Sequence, residues 1–303
     1  MTYSIVARDP ATGELGVAVQ TRWPSVGASV PYAEAGVGAV ATQSFTEESY
    51  GPLGLARMRT GAAAPEALAA LIADDPRRDV RQVGMVDAAG RSDSWTGAGC
   101  VREAGHVVRP ELAIQANMME RSTVWPAMSA AYDASLSAGT PLVDRLLATL
   151  RAAQAEGGDV RGSQSAALIV VPASGPAWSR RYDVRVDDHR APLDELERLV
   201  RLAQAYELFD QTEAPAMRGD LAGAAALMER AHALAPEDDQ LTLWTSMFYA
   251  GAGRFEEARS LFAEASRAEP RSAEHLRRFL AAGFLPEAVG PVIDALEGSL
   301  SAV

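Results

Sequence analysis

Thr2 follows the initiator methionine directly, and a residue this small at the second position permits removal of Met1. The processed chain then carries a hydroxyl and a free α-amine on one residue. An α-amine of ordinary pKa, about 7.7–8.0, is a usable base near neutral pH. A threonine paired with its own N-terminal amine is an activated nucleophile toward amide carbonyls. The same residue also suits a purely structural role, because a β-branched side chain favours the strand that begins here. That strand, Tyr3-Ser4-Ile5-Val6-Ala7-Arg8, turns through Pro10-Ala11-Thr12-Gly13 and returns as Leu15-Gly16-Val17-Ala18-Val19-Gln20-Thr21.

Other chemistries are narrowed by what the chain contains. All 28 basic residues are arginine. Serine–lysine dyads, Schiff bases and a P-loop lysine are therefore excluded. Gly36-Val37-Gly38-Ala39-Val40-Ala41 has the spacing of a dinucleotide phosphate turn but lies within a strand instead of opening a helix, so it does not predict nucleotide binding. His106, His189, His232 and His275 are too scattered for a metal site, and none pairs with Cys100 at ligand spacing. Cys100 with His106 would make a nucleophile pair, although a small core cysteine is the plainer account. Asp183, Asp187, Asp188 and His189 offer a cation cluster, but alternate strand residues point to opposite faces, and a solvated turn before Pro192 explains them as well. Neither metal nor organic cofactor is expected.

A chain of 303 residues has room for two domains, and 48% hydrophobic with 22% charged content is that of a globular protein. No apolar run approaches a membrane span. The N-terminus lacks a basic and apolar export signal, and one cysteine suits a reducing compartment, so a cytoplasmic location is expected. The net charge of −12 divides into −4 over residues 1–194 and −8 over residues 195–303. Without a clustered positive surface, nucleic acid is not an expected partner.

The elements that must position Thr2 come in blocks. After the opening hairpin, strand signals recur at Gly36–Gln43, in a hairpin formed by Gln82–Val86 and Arg91–Trp95, and at His106–Val108, Leu112–Ala116, Ala166–Val171 and Arg181–Val186. Helices are expected at Pro52–Met58, Pro65–Ile72, Thr123–Leu136 and Pro141–Ala155; in the last, Leu142, Leu146, Leu147 and Leu150 keep one apolar face. Grouped instead of alternating, these elements argue for an α+β arrangement of helices layered on sheets. Beyond them, Gly219-Asp220-Leu221 leads a segment ending at Pro236, and Gly253-Arg254-Phe255 leads one ending at Pro270. Within this frame Leu221 matches Phe255, Ala224 matches Ala258, Leu227 matches Leu261, Met228 matches Phe262 and Ala231 matches Ala265. That is the period and pattern of a tetratricopeptide repeat. A third, shortened unit spans Glu274–Leu296. The expected domains are residues 1–190 and an all-α helical array over residues 191–303.

Several motifs in order carry a resemblance: Tyr3-Ser4-Ile5-Val6-Ala7-Arg8-Asp9-Pro10, Gly38-Ala39-Val40-Ala41-Thr42-Gln43, Tyr50-Gly51-Pro52, Asp79-Val80-Arg81-Gln82, Gly162-Ser163-Gln164-Ser165-Ala166-Ala167 and Arg185-Val186-Asp187-Asp188-His189. Residues 2–192 thereby resemble the bacterial family called domain of unknown function 1028, which is grouped with the N-terminal nucleophile (Ntn) hydrolases. The resemblance implies a four-layer αββα sandwich, with Thr2 at the nucleophile position. It implies that Asn117, in Ile114-Gln115-Ala116-Asn117, donates to an oxyanion, although Ala116 stands where the family usually has glycine. Gln43, Ser44, Arg81, Gln164 and Ser165 belong to matched motifs and are candidates to line the cleft, or equally to satisfy backbone groups at strand ends. With no lysine beside Thr2, Arg22 or the α-amine alone would tune the nucleophile; arginine cannot act as a base.

The leading expectation is an Ntn-type amidohydrolase acting on a small amide or peptide-like substrate. The helical repeats would then serve a protein or peptide partner, and self-association is expected from the resemblance. The alternatives are a non-catalytic binding protein of the same fold, or a metal-dependent hydrolase at the Asp183–His189 cluster.

Overall fold

The computed structural model describes residues 2–285 and 287–300. The chain divides between Val200 and Arg201 into two compact units.

The first unit contains two antiparallel sheets. In the larger, β1 (Thr2–Arg8), β2 (Leu15–Thr21), β7 (Gly105–Arg109), β8 (Leu112–Asn117), β9 (Ser165–Val171) and β10 (Tyr182–Val186) take the order β10-β9-β2-β1-β8-β7. In the smaller, β3 (Pro31–Glu34), β4 (Gly38–Ser44), β5 (Arg81–Asp87) and β6 (Ser92–Thr96) lie in chain order. Alternate residues of each strand face inward, and Val6, Val17, Val19, Ala39, Ala41 and Val86 form the core between the sheets. The edge strand β3 went unread in the sequence: it is only four residues long and opens on a proline, which an edge tolerates.

Helices α1 (Tyr50–Arg59) and α2 (Ala64–Asp74) cover the smaller sheet, where Leu55, Leu68 and Leu71 meet Val40, Val83 and Met85. On the far side α3 (Val124–Ser137) and α4 (Leu142–Ala155) lie against the larger sheet. Gly16 of β2 lets α4 approach, because a Cβ there would stand 2.6 Å from Leu146 Cδ1. The layers thus run helix, sheet, sheet, helix, the αββα sandwich expected.

Helix α5 (Pro192–Asp210) runs across the unit boundary. The second unit continues with α6 (Glu213–Met217), α7 (Leu221–Leu234), α8 (Asp239–Gly251), α9 (Phe255–Ala268), α10 (Ser272–Ala281) and α11 (Gly290–Leu300). Of the residues matched by the 34-residue offset, Ala224, Met228 and Ala231 on α7 and Ala258, Phe262 and Ala265 on α9 are buried, whereas Leu221 and Phe255, which open the two helices, are exposed. Gly219 and Gly253 both adopt the left-handed conformation, with φ of +79° and +82°, which explains glycine at the same point of each repeat. The second unit is therefore an all-α repeat array.

Candidate active site

Strand pairing assembles the site. Thr2 opens β1 in the middle of the larger sheet, opposite Asn117 of β8 on one side and Thr21 of β2 on the other; Thr21 in turn opposes Ser165 of β9. Directly opposed residues of antiparallel strands share a face. Asn117, Thr2, Thr21 and Ser165 therefore make one polar row at the end of the sheet, on the face toward the smaller sheet. The Thr2 and Thr21 hydroxyls are hydrogen-bonded at 3.1 Å. Both residues line a cavity of about 400 Å³ whose other walls include Trp23, Val26, Val30, Ser44, Phe45, Glu48, Val101 and Arg161. That volume lies within the range of small-ligand sites, roughly 300–1,000 Å³. Met1, whose removal the nucleophile reading requires, lies outside the described residues.

Behind Thr2, amide side chains bridge the two sheets. Gln43 Nε2 donates to the Thr2 carbonyl at 3.1 Å and to Gln82 Oε1 at 2.7 Å. Ser4 Oγ donates to Gln43 Oε1 at 2.7 Å and accepts from Gln115 Nε2 at 2.6 Å. Asn117 Nδ2 donates to Gln82 Oε1 at 2.8 Å and, more weakly, to the Thr2 carbonyl at 3.4 Å. Gln82 Nε2 completes the group on the Ala116 carbonyl and Thr96 Oγ1. A buried polar group is costly unless partnered, so a network this connected holds both sheets in one register and fixes the backbone at Thr2.

The remaining sequence candidates divide by strand parity. Gln43 and Gln82 are paired in the smaller sheet and face its partner, while their neighbours Ser44 and Arg81, also paired, project the other way. Arg81 is buried, donates from Nε to Asp75 Oδ2 at 2.8 Å, and donates from Nη1 to the Phe45 carbonyl at 2.6 Å. Burial alone would raise the Asp75 carboxyl; hydrogen bonds from Arg81, the Arg77 N–H and Tyr50 outweigh it and hold the group below the ordinary carboxylate range. Ser44 has a left-handed backbone, φ +73°, which brings it onto the cavity wall. Ser165 is buried and fastens the neighbouring loop, donating to the Trp23 carbonyl at 2.5 Å and accepting from the Val26 N–H at 3.1 Å.

Arg22 and Gln164 lie elsewhere. They are hydrogen-bonded at 2.7 Å and line a separate open depression with Ser163, Asp188 and His189. Gln164 also donates to Asp188 Oδ1 at 3.1 Å. Cys100 and His106 are not brought together. Cys100 Sγ donates to the Arg81 carbonyl, and burial pushes its thiol pKa up. His106 Nδ1 bonds Thr96 Oγ1, and burial pushes its imidazole pKa down. Among the described residues no group of three or more His, Cys, Asp or Glu side chains is arranged to hold a metal ion.

Sequence reasoning passed over Thr21, Gln82, Trp23 and Phe45. The register of the opening hairpin would have found Thr21, since a turn over residues 9–14 brings residue 21 opposite residue 2. Trp23 and Phe45 carry no spacing signal; they enter the site only because loops from different strands meet there.

Comparison with known proteins completes the description. No curated protein matches the chain. A crystal structure of protein SPO2555 from Silicibacter pomeroyi, matched by the DUF1028 model, is 30% identical with a TM-score of 0.60, covering 67% of this chain and 88% of that one. A family model described as tetratricopeptide repeat matches residues 216–282. The model described as family of unknown function (DUF1028) matches residues 2–196, most of the chain, and the protein belongs to that family.

Proposed function

We propose that the processed chain is an N-terminal-nucleophile amidohydrolase for small amides, with Thr2 as nucleophile. The observation that carries this reading is the Thr2 hydroxyl: it sits at the start of a central strand, bonded to Thr21, on a cavity of small-ligand size. Thr2 Oγ would attack the carbonyl carbon, its proton passing to the α-amine. Collapse of the tetrahedral intermediate breaks the C–N bond, and the amine returns that proton to the leaving nitrogen. Water then cleaves the acyl ester and restores the hydroxyl. Asn117 would steady the oxyanion by turning its second N–H away from the Thr2 carbonyl, where its present bond is long at 3.4 Å. A positioned donor of this kind is typically worth about 2.7–4 kcal/mol of barrier.

The test combines intact mass with turnover across a panel of small amides. The expected result is loss of Met1, acylation of Thr2 by an amide-mimicking electrophile, and a fall in turnover on the order of 10³ or more in Thr2→Ala. Undiminished hydrolysis by folded Thr2→Ala protein would overturn the assignment. One observation favours a second reading, a binding protein that keeps the cavity without the chemistry: the Asn117 amide is already engaged with Gln82 at 2.8 Å. That reading expects retained Met1 and ligand binding with no turnover. In either case the tetratricopeptide-like unit supplies a protein-interaction surface, since such repeats bury one face against their neighbours and leave the other open.

A further inference from the structure

The walls of the Thr2 cavity are more specific than its size. Trp23, Phe45 and Val101 are large apolar side chains left exposed, by 66%, 51% and 37%, and all three line this one cavity over the buried Val26 and Val30. Exposed apolar groups converging on a concavity mark a binding surface. The two aromatic residues are also held in place by main-chain anchors. Ser165 binds the Trp23 carbonyl, and the Arg81 guanidinium binds that of Phe45. Ser25, two residues after Trp23, and Ser44, the last residue of β4 beside Phe45, have φ of +55° and +73°, a conformation serine rarely adopts without compensation. Two buried polar side chains and two residues of strained backbone thus hold exposed rings beside Thr2.

The charges on the wall are unequal. Arg161 is already committed to Asp159, its Nε donating to Oδ1 at 3.0 Å and Nη2 to Oδ2 at 2.7 Å. Glu48 is exposed on the same cavity, and no ion pair or side-chain hydrogen bond engages its carboxylate among the described residues. The uncommitted charge of the site is therefore negative.

We propose that the Thr2 cavity selects an amide whose acyl part is an aromatic amino acid with a free α-ammonium group. Its ring lies against Trp23 and Phe45, and its ammonium faces Glu48. The assignment rests on the amidohydrolase reading for the bond that is cut, but not for the binding. Binding is therefore measured by calorimetry on folded Thr2→Ala protein with three probes. L-phenylalaninamide carries the ring and the ammonium, L-alaninamide lacks the ring, and hydrocinnamamide lacks the ammonium. L-phenylalaninamide should bind about tenfold or more tightly than L-alaninamide, the effect of burying one benzyl group. Adding Trp23→Ala or Phe45→Ala should remove most of that preference. Adding Glu48→Gln should weaken L-phenylalaninamide severalfold while leaving hydrocinnamamide unchanged. Equal binding of L-alaninamide and L-phenylalaninamide, no effect of either aromatic truncation, or no binding of any probe would overturn the proposal. Turnover by the unmutated protein, measured separately, distinguishes the two readings. Ring-selective binding without turnover sinks the hydrolase and leaves this site standing; turnover without ring selectivity does the reverse.

Discussion

Replacing Arg81 with methionine tests how the scaffold and the cavity wall are coupled. The side chain is only 6% exposed, and that of its partner Asp75 is 12% exposed, with Nε and Oδ2 at 2.8 Å. Breaking a fully buried pair from one side typically costs about 3–5 kcal/mol. Asp75 keeps the Tyr50 hydroxyl at 3.1 Å, the Arg77 N–H at 2.7 Å and some contact with solvent, so screening brings the expected loss to about 2–3 kcal/mol. The second ion pair of Arg81, with Glu47, adds little, being 3.7 Å long to a carboxylate 43% exposed. The pH dependence follows from Asp75. In the native protein its pKa is lowered, so its stabilising contribution is present above the unfolded carboxylate pKa, about 3.9, and is lost as pH falls through the folded value. In Arg81→Met burial dominates, the folded pKa rises, and the variant loses stability as pH climbs from about 4 toward neutrality. Urea unfolding at neutral pH and again near pH 3 should therefore show a gap that narrows with acid. Because Arg81 also holds the Phe45 carbonyl, affinity for an aromatic ligand should drop in the same variant. A gap below about 1 kcal/mol, or one indifferent to pH, would refute the reasoning.

Other perturbations probe the remaining links. Arg145→Met should cost about 3–5 kcal/mol by stranding the buried Asp9 carboxylate, and the double variant with Asp9→Asn should recover much of it in a denaturation cycle. Simple additivity would show the pair to be uncoupled. A Cβ on Gly84 would overlap the end of the Gln115 side chain, which can swing away only by leaving Ser4 Oγ. Gly84→Ala should thus lose about 1–2 kcal/mol in thermal unfolding and shift the Gln115 side-chain amide resonances, and silence in both would count against the inter-sheet network. Thr21→Val removes the partner of the Thr2 hydroxyl. Under the amidohydrolase proposal kcat should fall about five- to tenfold with KM held, and Thr21→Ser should restore it.

The layered fold and the repeat were legible because both rest on local pattern. Alternation of apolar residues marks strands such as Leu15–Thr21, a one-sided stripe marks the helix Leu142–Ala155, and a 34-residue recurrence marks α7 and α9. The short edge strand Pro31–Glu34 escaped because four residues carry too little periodicity. Thr2 was visible from its position alone, and the hairpin that follows it could have disclosed Thr21.

Which polar residues share a surface was a different matter. Arg81 and Gln82 are neighbours in the chain, yet strand parity sends one toward Asp75 and the other into the inter-sheet network. Ser165 and Gln164 likewise part company, one fastening the Trp23 loop and the other joining Arg22 in a separate depression. Trp23, Phe45 and Val101 come from three different connections, and nothing in their spacing anticipates that they meet around Thr2. Periodicity and composition act over a few residues and so can be read along the chain. Register, parity and the meeting of loops arise only when two sheets pack face to face, and it is that packing which turns a threonine beside the initiator into a residue on a walled cavity.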